Sequence, residues 1–378
     1  MDKKTRIAVI GAGLRSKTVL PHLFRESAGA VEIAAIYDPD TAVAEDLLRE
    51  LKQPLLTPAA SADEAIQTPG VEWVMIFSPN AFHREHILKS FAAGKHVFAE
   101  KPLATTVADC QMIYKAHQKS GKIFATGFVL RYAPIYCKVK QLLDSGLFGK
   151  IMSMEANENI PPEHGGYIMA NWRRHRALAG PHILEKCCHD LNLIEWFTGS
   201  LPGKVAATAD RKFFTPEHAE LMRHYPPETF QAWPDPHRIA SPFTGDTDLD
   251  DMIFSIAEFR NGIRVAFSAT MANAIPERRM RIHCEYGTLL VELYTMTIRY
   301  KLLGREDEHV IRTPGGSGHG GGDSRIMREL LDTMQNHTPP KCSGSDGLTS
   351  AVYALALDQA AREHKVIDLE PTWATLGR

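Results

Sequence analysis

The N-terminal segment at residues 7–16 reads IAVIGAGLRS. The apolar run over Arg6–Ile10 predicts a short buried strand, and the residues after the glycines predict a helix. Gly11 and Gly13 fill the first two positions of a G-x-G-x-x-G turn, and Ser16 stands where the third glycine is usual. Gly11 permits a tight turn, and Gly13 lets the backbone approach a pyrophosphate at the helix N-terminus. The candidate cofactor loop consists of Gly11, Gly13, Leu14 and Arg15.

An acidic residue follows the second predicted strand. Glu32–Tyr37 is an apolar run that ends at Asp38. This is where a carboxylate binds the adenosine ribose of a dinucleotide, and its charge repels a 2′-phosphate. We therefore expect NAD as the cofactor. NADP remains possible because Arg15 lies in the same loop and can soften the preference. A plain glycine turn is the alternative reading, but strand, turn, helix and spaced acid together favour a dinucleotide.

Strand-like and helix-like runs continue to alternate through the first third of the chain, which predicts parallel βαβ units. The pattern changes after about residue 150. A long strand is expected over Lys150–Asn159, one amphipathic helix over Ile183–Phe197, and hairpins at Asn261-Gly262 and at CEYG (residues 284–287). The predicted fold is α/β: a Rossmann domain with a doubly wound parallel sheet (1–127), then an α+β domain with a large, mostly antiparallel sheet (128–378). The C-terminal helices of the second domain can pack back on the first.

Composition excludes several classes of protein. The chain has 378 residues, 43 Lys and Arg against 45 Asp and Glu, and a formal net charge of -2, which gives no footprint for nucleic acid. The six cysteines form no C-x-x-C pair, so neither a redox motif nor a zinc knuckle is expected. The chain shows no signal peptide and no apolar run of membrane-spanning length, so we expect a cytoplasmic protein that does not bind membranes.

The tripeptide Glu100-Lys101-Pro102 follows a predicted strand of the first domain, where residues face the ligand crevice of a parallel sheet. A lysine there can polarise a substrate oxygen, although taken alone it reads as a surface residue. With its surroundings, the chain resembles the Gfo/Idh/MocA family of oxidoreductases over nearly its whole length. The matching segments are IAVIGAG (7–13), SPNAFH (78–83), AGKHVFAEKPLA (93–104), GFVLRYAPIY (127–136), NWRR (171–174) and GPHILEKCCHDLN (180–192).

The resemblance implies roles for several residues. Lys101 is expected to touch both substrate and nicotinamide. The residues expected to border the nicotinamide are Ser78, Pro79, Asn80 and His83, and Glu100 is expected among the residues that bind the cofactor. Most family enzymes carry an aspartate four residues before a histidine, and here Glu185 and His189 take these positions. On one helix they would share a face. We expect His189 to act as general acid/base, with Lys101 on the same oxygen and Glu185 orienting the histidine or gripping a hydroxyl.

Other readings of these residues remain open. His189 alone would more often be a structural histidine. A metal site near it is not expected, because the spacing fits no common zinc site. The resemblance places Trp172 and Arg173 beside the substrate, although an Arg stacked on a surface Trp is equally plausible. Arg131 and Tyr132 can contact ligand or pack. The run Gly315–Gly322 is either a mobile loop that carries His319 or a connector, with Asp323 as the N-cap of the next helix. The Pro- and His-rich stretch 214–246 predicts a long surface loop.

Three functions are compatible with this sequence. The first is an NAD(P)-dependent dehydrogenase or reductase that acts on CH–OH groups of a sugar, polyol or related carbonyl compound. The second is a glycoside hydrolase or lyase that uses NAD transiently. The third is a sensor that binds a dinucleotide without catalysis; the presence of Lys101 and His189 argues against it. A homodimer or homotetramer is expected, because a broad antiparallel sheet usually needs covering.

Overall fold

The computed structural model describes residues 4–53, 55–234 and 238–378. The chain divides into two compact units: Met1–Ala133 with Gly321–Ala351, and Pro134–Gly320 with Val352–Arg378. The domain boundary expected between residues 127 and 128 stays a prediction. Among the described residues, every helix is too short or too polar to cross a membrane.

The first unit contains a parallel sheet. Its N-terminal elements are β1 (Thr5–Ile10), α1 (Leu14–Ser27), β2 (Val31–Tyr37), α2 (Thr41–Glu50), α3 (Ala62–Gln67), β3 (Trp73–Ile76), α4 (His83–Ala92), β4 (His96–Ala99), α5 (Val107–Ser120) and β5 (Phe124–Thr126). The strands pair in parallel in the order β2-β1-β3-β4-β5. Strands of such a sheet are buried on both faces and read as apolar runs, which is why the sequence revealed them. The predicted Rossmann sheet is confirmed.

The second unit contains a nine-stranded sheet. Its elements up to residue 320 are α6 (Pro134–Asp144), β6 (Ile151–Asn159), α7 (Pro162–Ala170), α8 (Arg176–Ala179), α9 (His182–Glu185), α10 (Cys188–Thr198), β7 (Pro202–Asp210), α11 (Leu221–His224), β8 (Met252–Phe259), β9 (Arg264–Thr270), β10 (Arg279–Cys284), β11 (Gly287–Glu292), β12 (Thr297–Leu302), β13 (His309–Arg312) and α12 (Ser317–Gly320). The chain ends with α13 (Gly322–Asn336), α14 (Gly344–Glu363), β14 (Ile367–Asp368) and α15 (Glu370–Thr375).

The order of the large sheet is β13-β12-β11-β10-β6-β9-β8-β7-β14. Neighbouring strands are antiparallel except β6 and β9, which run parallel. Both predicted hairpins are confirmed: Gly262, with φ +88°, turns the chain between β8 and β9, and the CEYG turn joins β10 to β11. Along β8, buried and exposed residues alternate, so one face of the sheet packs inward and the other faces outward.

Two sequence-based predictions need correction. The single helix over Ile183–Phe197 is wrong, because α9 and α10 are separated by a turn at Lys186 and Cys187, where Cys187 has ψ near zero. Helix α10 is also buried on nearly every side rather than amphipathic. The stretch 214–246 is not simply a surface loop. Phe214, Phe230 and Phe243 are fully buried in it, although residues 235–237 lie outside the described part.

Candidate active site

The glycine turn of the first unit is shaped by two different requirements. Gly11 has φ +93°, and a Cβ on it would lie 2.7 Å from the carbonyl carbon of Phe77 at the end of β3. A side chain is therefore excluded there by backbone conformation and by close packing. Gly13 has an ordinary φ of -74°, and a Cβ built on it meets no atom within 4 Å. Gly13 thus leaves open space at the N-terminus of α1, where backbone N–H groups can hold a phosphate.

Asp38 lies beside this turn. Its Oδ2 accepts a hydrogen bond from the Ala12 N–H at 2.8 Å, and its Oδ1 accepts one from the Asp40 N–H at 3.0 Å. Ser16, at the third glycine position, is buried and donates its hydroxyl to the Gly13 carbonyl at 2.8 Å. The residues present fit a dinucleotide, because an open helix N-terminus for the pyrophosphate stands next to a carboxylate that suits a ribose.

Arg15 connects this turn to two distant parts of the first unit. Its Nε donates to Glu100 at 2.6 Å, and its Nη1 donates to Asp323 at 2.5 Å. Glu100 itself is held closely, because a Cβ on Gly127 would lie 2.6 Å from its carboxylate. The expected N-cap role of Asp323 is wrong: Gly321, with φ +84°, caps α13, and Asp323 stands in the first turn facing Arg15. Arg15 is thus engaged by two carboxylates within the protein.

His83 joins the two loops that the resemblance assigns to the nicotinamide. It is fully buried, with Nε2 2.9 Å from the Ser78 carbonyl and Nδ1 2.8 Å from the Pro102 carbonyl. Burial lowers its pKa. The Ser78 hydroxyl lies 2.9 Å from Nδ1 of His86, and burial lowers the pKa of this histidine to about 4. His83 therefore supports the loop that contains Lys101. Its contact with a nicotinamide stays a prediction.

The remaining predicted residues of the first unit surround these contacts. Asn80 is buried in a short 3-10 turn that begins directly after Pro79. Lys101 is half-buried and follows β4 immediately after Glu100. The structure therefore places the predicted cofactor residues on the turns that follow β1, β2, β3 and β4, which is the ligand edge of a parallel sheet.

In the second unit, Arg173 and Glu185 form an ion pair, with the guanidinium Nε 2.9 Å from the carboxylate. The same guanidinium lies over the Trp172 ring at 4.4 Å, and its Nη1 donates to the Tyr167 hydroxyl at 3.2 Å. Glu185 is buried, and Arg173 is about a quarter exposed. Three of the four residues expected to bind substrate in this unit, Trp172, Arg173 and Glu185, are thus in one contiguous cluster.

His189 lies at the start of α10, four residues after Glu185 but across the helix break. The histidine is buried, and its ring centroid lies 5.5 Å from that of His319 on α12. The glycine-rich segment therefore brings the imidazole of His319 next to that of His189, the predicted catalytic residue. The sequence had left the position of His319 open.

Buried charges that the sequence did not reveal support this part of the unit. Arg278 lies 2.6 Å from Asp190 and 2.9 Å from Glu158, and Lys186 lies 3.5 Å from Glu158. Burial beside Glu158 raises the pKa of Asp190. Asp190 follows His189 directly. Its ion pair with Arg278, which immediately precedes β10, therefore holds the start of α10 in place. The adjacency of Asp190 to His189 was a possible signal, but Arg278, 88 residues further on, gave none.

Fold and site together define a class: an NAD-binding oxidoreductase built from a Rossmann unit and a second unit with a large open sheet. Residues 5–128 match the model of the oxidoreductase family with an NAD-binding Rossmann fold, and residues 136–290 match the GFO/IDH/MocA C-terminal domain. The chain belongs to the Gfo/Idh/MocA family of oxidoreductases.

Individual relatives are distant. A 2,7-anhydro-N-acetylneuraminate hydratase of Mediterraneibacter gnavus is 24% identical over 82% of this chain and 73% of its own length. An inositol 2-dehydrogenase of Acidothermus cellulolyticus is 29% identical over 56% of this chain and 58% of its own. Among solved structures, levoglucosan dehydrogenase in complex with NADH and levoglucosan has a TM-score of 0.81 at 17% identity, covering 97% of this chain and all of that one. At that identity the likeness establishes the fold.

Proposed function

We propose that the protein is an NAD-dependent dehydrogenase that acts on a CH–OH group of a sugar, a polyol or a related compound. The observation that carries the proposal is the open glycine turn beside Asp38, in a chain that retains both Lys101 and His189. Relatives named inositol 2-dehydrogenase and a structural neighbour named levoglucosan dehydrogenase support this class of substrate.

The cofactor-binding residues divide between two ends of the dinucleotide. Gly11, Gly13, Leu14 and Arg15 would hold the pyrophosphate, and Asp38 would hold the adenosine ribose. The nicotinamide end would be bordered by Ser78, Pro79, Asn80, His83, Glu100 and Lys101. When bound, the nicotinamide supplies the acceptor or donor of hydride. Because Asp38 would repel a 2′-phosphate and Arg15 is paired with Glu100 and Asp323, NAD is favoured over NADP.

The chemistry at the substrate falls to Lys101 and His189. The Lys101 ammonium binds the carbinol oxygen and stabilises negative charge that develops there. The His189 imidazole takes the hydroxyl proton during oxidation and returns it during reduction. Glu185, Trp172 and Arg173 bind the neighbouring hydroxyls and ring of the substrate, since they combine a carboxylate, a guanidinium and an aromatic face.

A second candidate is a redox-assisted hydratase or lyase, in which NAD is reduced and reoxidised within one turnover. The observation that favours it is His319, whose imidazole lies beside His189. Oxidation of a CH–OH group to a ketone acidifies the C–H on the neighbouring carbon. One imidazole can then remove that proton while the other protonates the oxygen that leaves from the next carbon, as that C–O bond breaks and a C=C bond forms. Relatives named 2,7-anhydro-N-acetylneuraminate hydratase are consistent with this chemistry.

One assay separates these functions. The purified protein is incubated with NAD or NADP and with levoglucosan, myo-inositol, other polyols and glycosides, while absorbance at 340 nm and product release are both followed. Net NADH formation supports the dehydrogenase, conversion without net NADH supports the hydratase or lyase, and cofactor binding with neither supports a sensor.

Two variants test the residue roles. Lys101→Ala and His189→Ala should each lower turnover by at least about a hundredfold. His189→Ala should leave the NADH dissociation constant within about threefold of wild type, since the proposed role of the imidazole is proton transfer with the substrate. Lys119→Ala, at an exposed position of α5, and His283→Ala, at an exposed position of β10, are matched controls. Near-normal turnover in either active-site variant would refute the assignment.

A further inference from the structure

A long insert joins β7 to β8. Asp210 at the end of β7 pairs with Met252 at the start of β8, so residues 211–251 form an excursion from the end of a regular hairpin. We call residues 211–251 the β7–β8 insert, of which 211–234 and 238–251 are described.

The insert is fixed firmly to the second unit. The buried carboxylate of Asp251 accepts hydrogen bonds from the backbone N–H groups of residues 212, 213 and 214, at 3.0, 2.7 and 2.7 Å. Phe214, Phe230 and Phe243 pack in one apolar cluster with side chains of α7. A Cβ on Gly166 of α7 would lie 2.3 Å from the Phe230 carbonyl oxygen, so the two backbones are in close contact. The described residues of the insert are therefore held in place by hydrogen bonds and apolar packing.

Trp233 lies on the β7–β8 insert. It extends the substrate cluster, by which we mean Trp172, Arg173 and Glu185. Its ring stands edge-to-face with those of His164 (4.8 Å between centroids) and Tyr167 (5.0 Å), and it keeps 38% of its surface exposed. Tyr167 accepts the hydrogen bond of Arg173, which in turn pairs with Glu185. A continuous series of contacts thus leads from the exposed indole of Trp233 to Glu185, the carboxylate that we expect to bind substrate.

Each cation in this part of the second unit lies against a carboxylate. Arg173 lies against Glu185 (2.9 Å), Lys186 against Glu158 (3.5 Å), and Arg278 against Asp190 (2.6 Å). The cluster's histidines His164 and His182 are neutral at pH 7, because burial lowers the pKa of each. An anionic ligand would have to compete with these carboxylates for the cations and would be repelled by them, which is unfavourable. A neutral hydroxylated ligand can hydrogen-bond to the pairs without separating them.

We propose that the second unit recognises a neutral carbohydrate or cyclic polyol, with Trp233 of the β7–β8 insert lying against its apolar C–H face and the Arg173–Glu185 pair binding its hydroxyls. This inference rests on the proposed function and deepens it. It assigns Trp233 as a residue that determines specificity and excludes sugar acids and sugar phosphates as preferred substrates.

The test compares neutral probes with charged ones in the presence of NADH, by saturation-transfer NMR, which needs no turnover. Levoglucosan, myo-inositol and glucose are the neutral probes; glucuronate, glucose 6-phosphate and N-acetylneuraminate are the charged ones. At least one neutral probe should bind, and each charged probe should bind at least about tenfold more weakly. Tighter binding of a charged probe, or binding of none of the six, overturns the inference.

The residue assignment is tested with the best neutral probe. Trp233→Ala should weaken its binding roughly 5- to 30-fold, and raise KM equally if it is turned over, through loss of the apolar ring face. Trp233→Phe should stay within about threefold of wild type. NADH affinity and the thermal midpoint should change little in both. Tyr225→Ala removes another exposed aromatic side chain of the insert and should have no effect.

The outcomes for the two proposals are distinguishable. Binding that depends on Trp233 but is accompanied by no NAD reduction would refute the proposed dehydrogenase and leave the recognition site standing. Normal turnover and KM in Trp233→Ala would refute the recognition site and leave the dehydrogenase standing.

Discussion

The two glycines of the N-terminal turn should respond in opposite ways to the same substitution. Gly11→Ala places a Cβ 2.7 Å from the Phe77 backbone in a residue with φ +93°. Gly13→Ala places a Cβ in open space in a residue with φ -74°. We expect the first to impair folding and the second to impair cofactor binding only.

The magnitudes follow from the geometry. The left-handed conformation costs an L-residue about 1–2 kcal/mol, and the clash with rigid backbone adds to it, so Gly11→Ala should lower the free energy of unfolding by more than about 2 kcal/mol. For a unit of this size that corresponds to a fall of about 4–8 °C in the thermal midpoint. Gly13→Ala should change the free energy of unfolding by less than about 1 kcal/mol, because reduced chain entropy in the unfolded state offsets a slightly poorer N-cap.

Binding provides the second measurement. If the pyrophosphate lies against Gly13, the added methyl group occupies its space, and the NADH dissociation constant measured by fluorescence titration should rise at least about tenfold, or about 1.4 kcal/mol. Wild-type NADH affinity in Gly13→Ala would show that the dinucleotide does not lie against Gly13. A fully stable Gly11→Ala protein would show that the turn tolerates a side chain, and the argument from its conformation would fail.

Three further perturbations probe other parts of the molecule. Asp323→Ala removes one of the two carboxylates that pair with Arg15 and should lower the free energy of unfolding by about 1–3 kcal/mol in urea titrations. Asp332→Ala, at an exposed position of the same helix, should lower it by less than about 0.5 kcal/mol. Burial lowers the pKa of His182 to about 4, below its unfolded value near 6.5, so its contribution is fully present above pH 6.5 and is lost as the pH falls towards 4. Urea unfolding between pH 7.5 and 4.5 should include this loss, at most about 3 kcal/mol for His182, and the pH dependence of the free energy of unfolding should be smaller by that amount in His182→Gln. Phe254 and Ile256 are 55% and 64% exposed on the outward face of β8; we propose that a second copy covers them, so Ile256→Glu should reduce the mass measured by analytical ultracentrifugation, and an unchanged mass would place the contact elsewhere.

The sequence predicted those elements whose signal is local. The strands around the glycine turn and both hairpins of the large sheet follow from short apolar runs and from turn residues within them. The helix over Ile183–Phe197 was mispredicted because apolar spacing continues through the turn at Lys186 and Cys187, and burial on nearly every side removes the polar face that would reveal a change of direction. Asp323 was misread for a similar reason: an acid after a glycine run resembles a cap, and its partner Arg15 is 308 residues away.

The same distinction separates the cofactor half of the site from the substrate half. The predicted cofactor residues stand on turns that directly follow strands, so each is set by its own βα unit, and a motif is enough to find it. The side chains around the substrate cluster come from α7, α9, β6, the residue before β10 and the β7–β8 insert, and they meet only through tertiary contacts. The insert lies at the end of the β7–β8 hairpin. A change in its length or sequence there leaves the hydrogen bonds between β7 and β8 intact. Changes in the insert should therefore alter which carbohydrate binds while NADH affinity stays constant. Replacing the exposed pair Trp233-Pro234 by Gly-Ser, which leaves the buried Phe230 in place, would test this separation, since loss of NADH binding together with carbohydrate binding would show that the two halves are not independent.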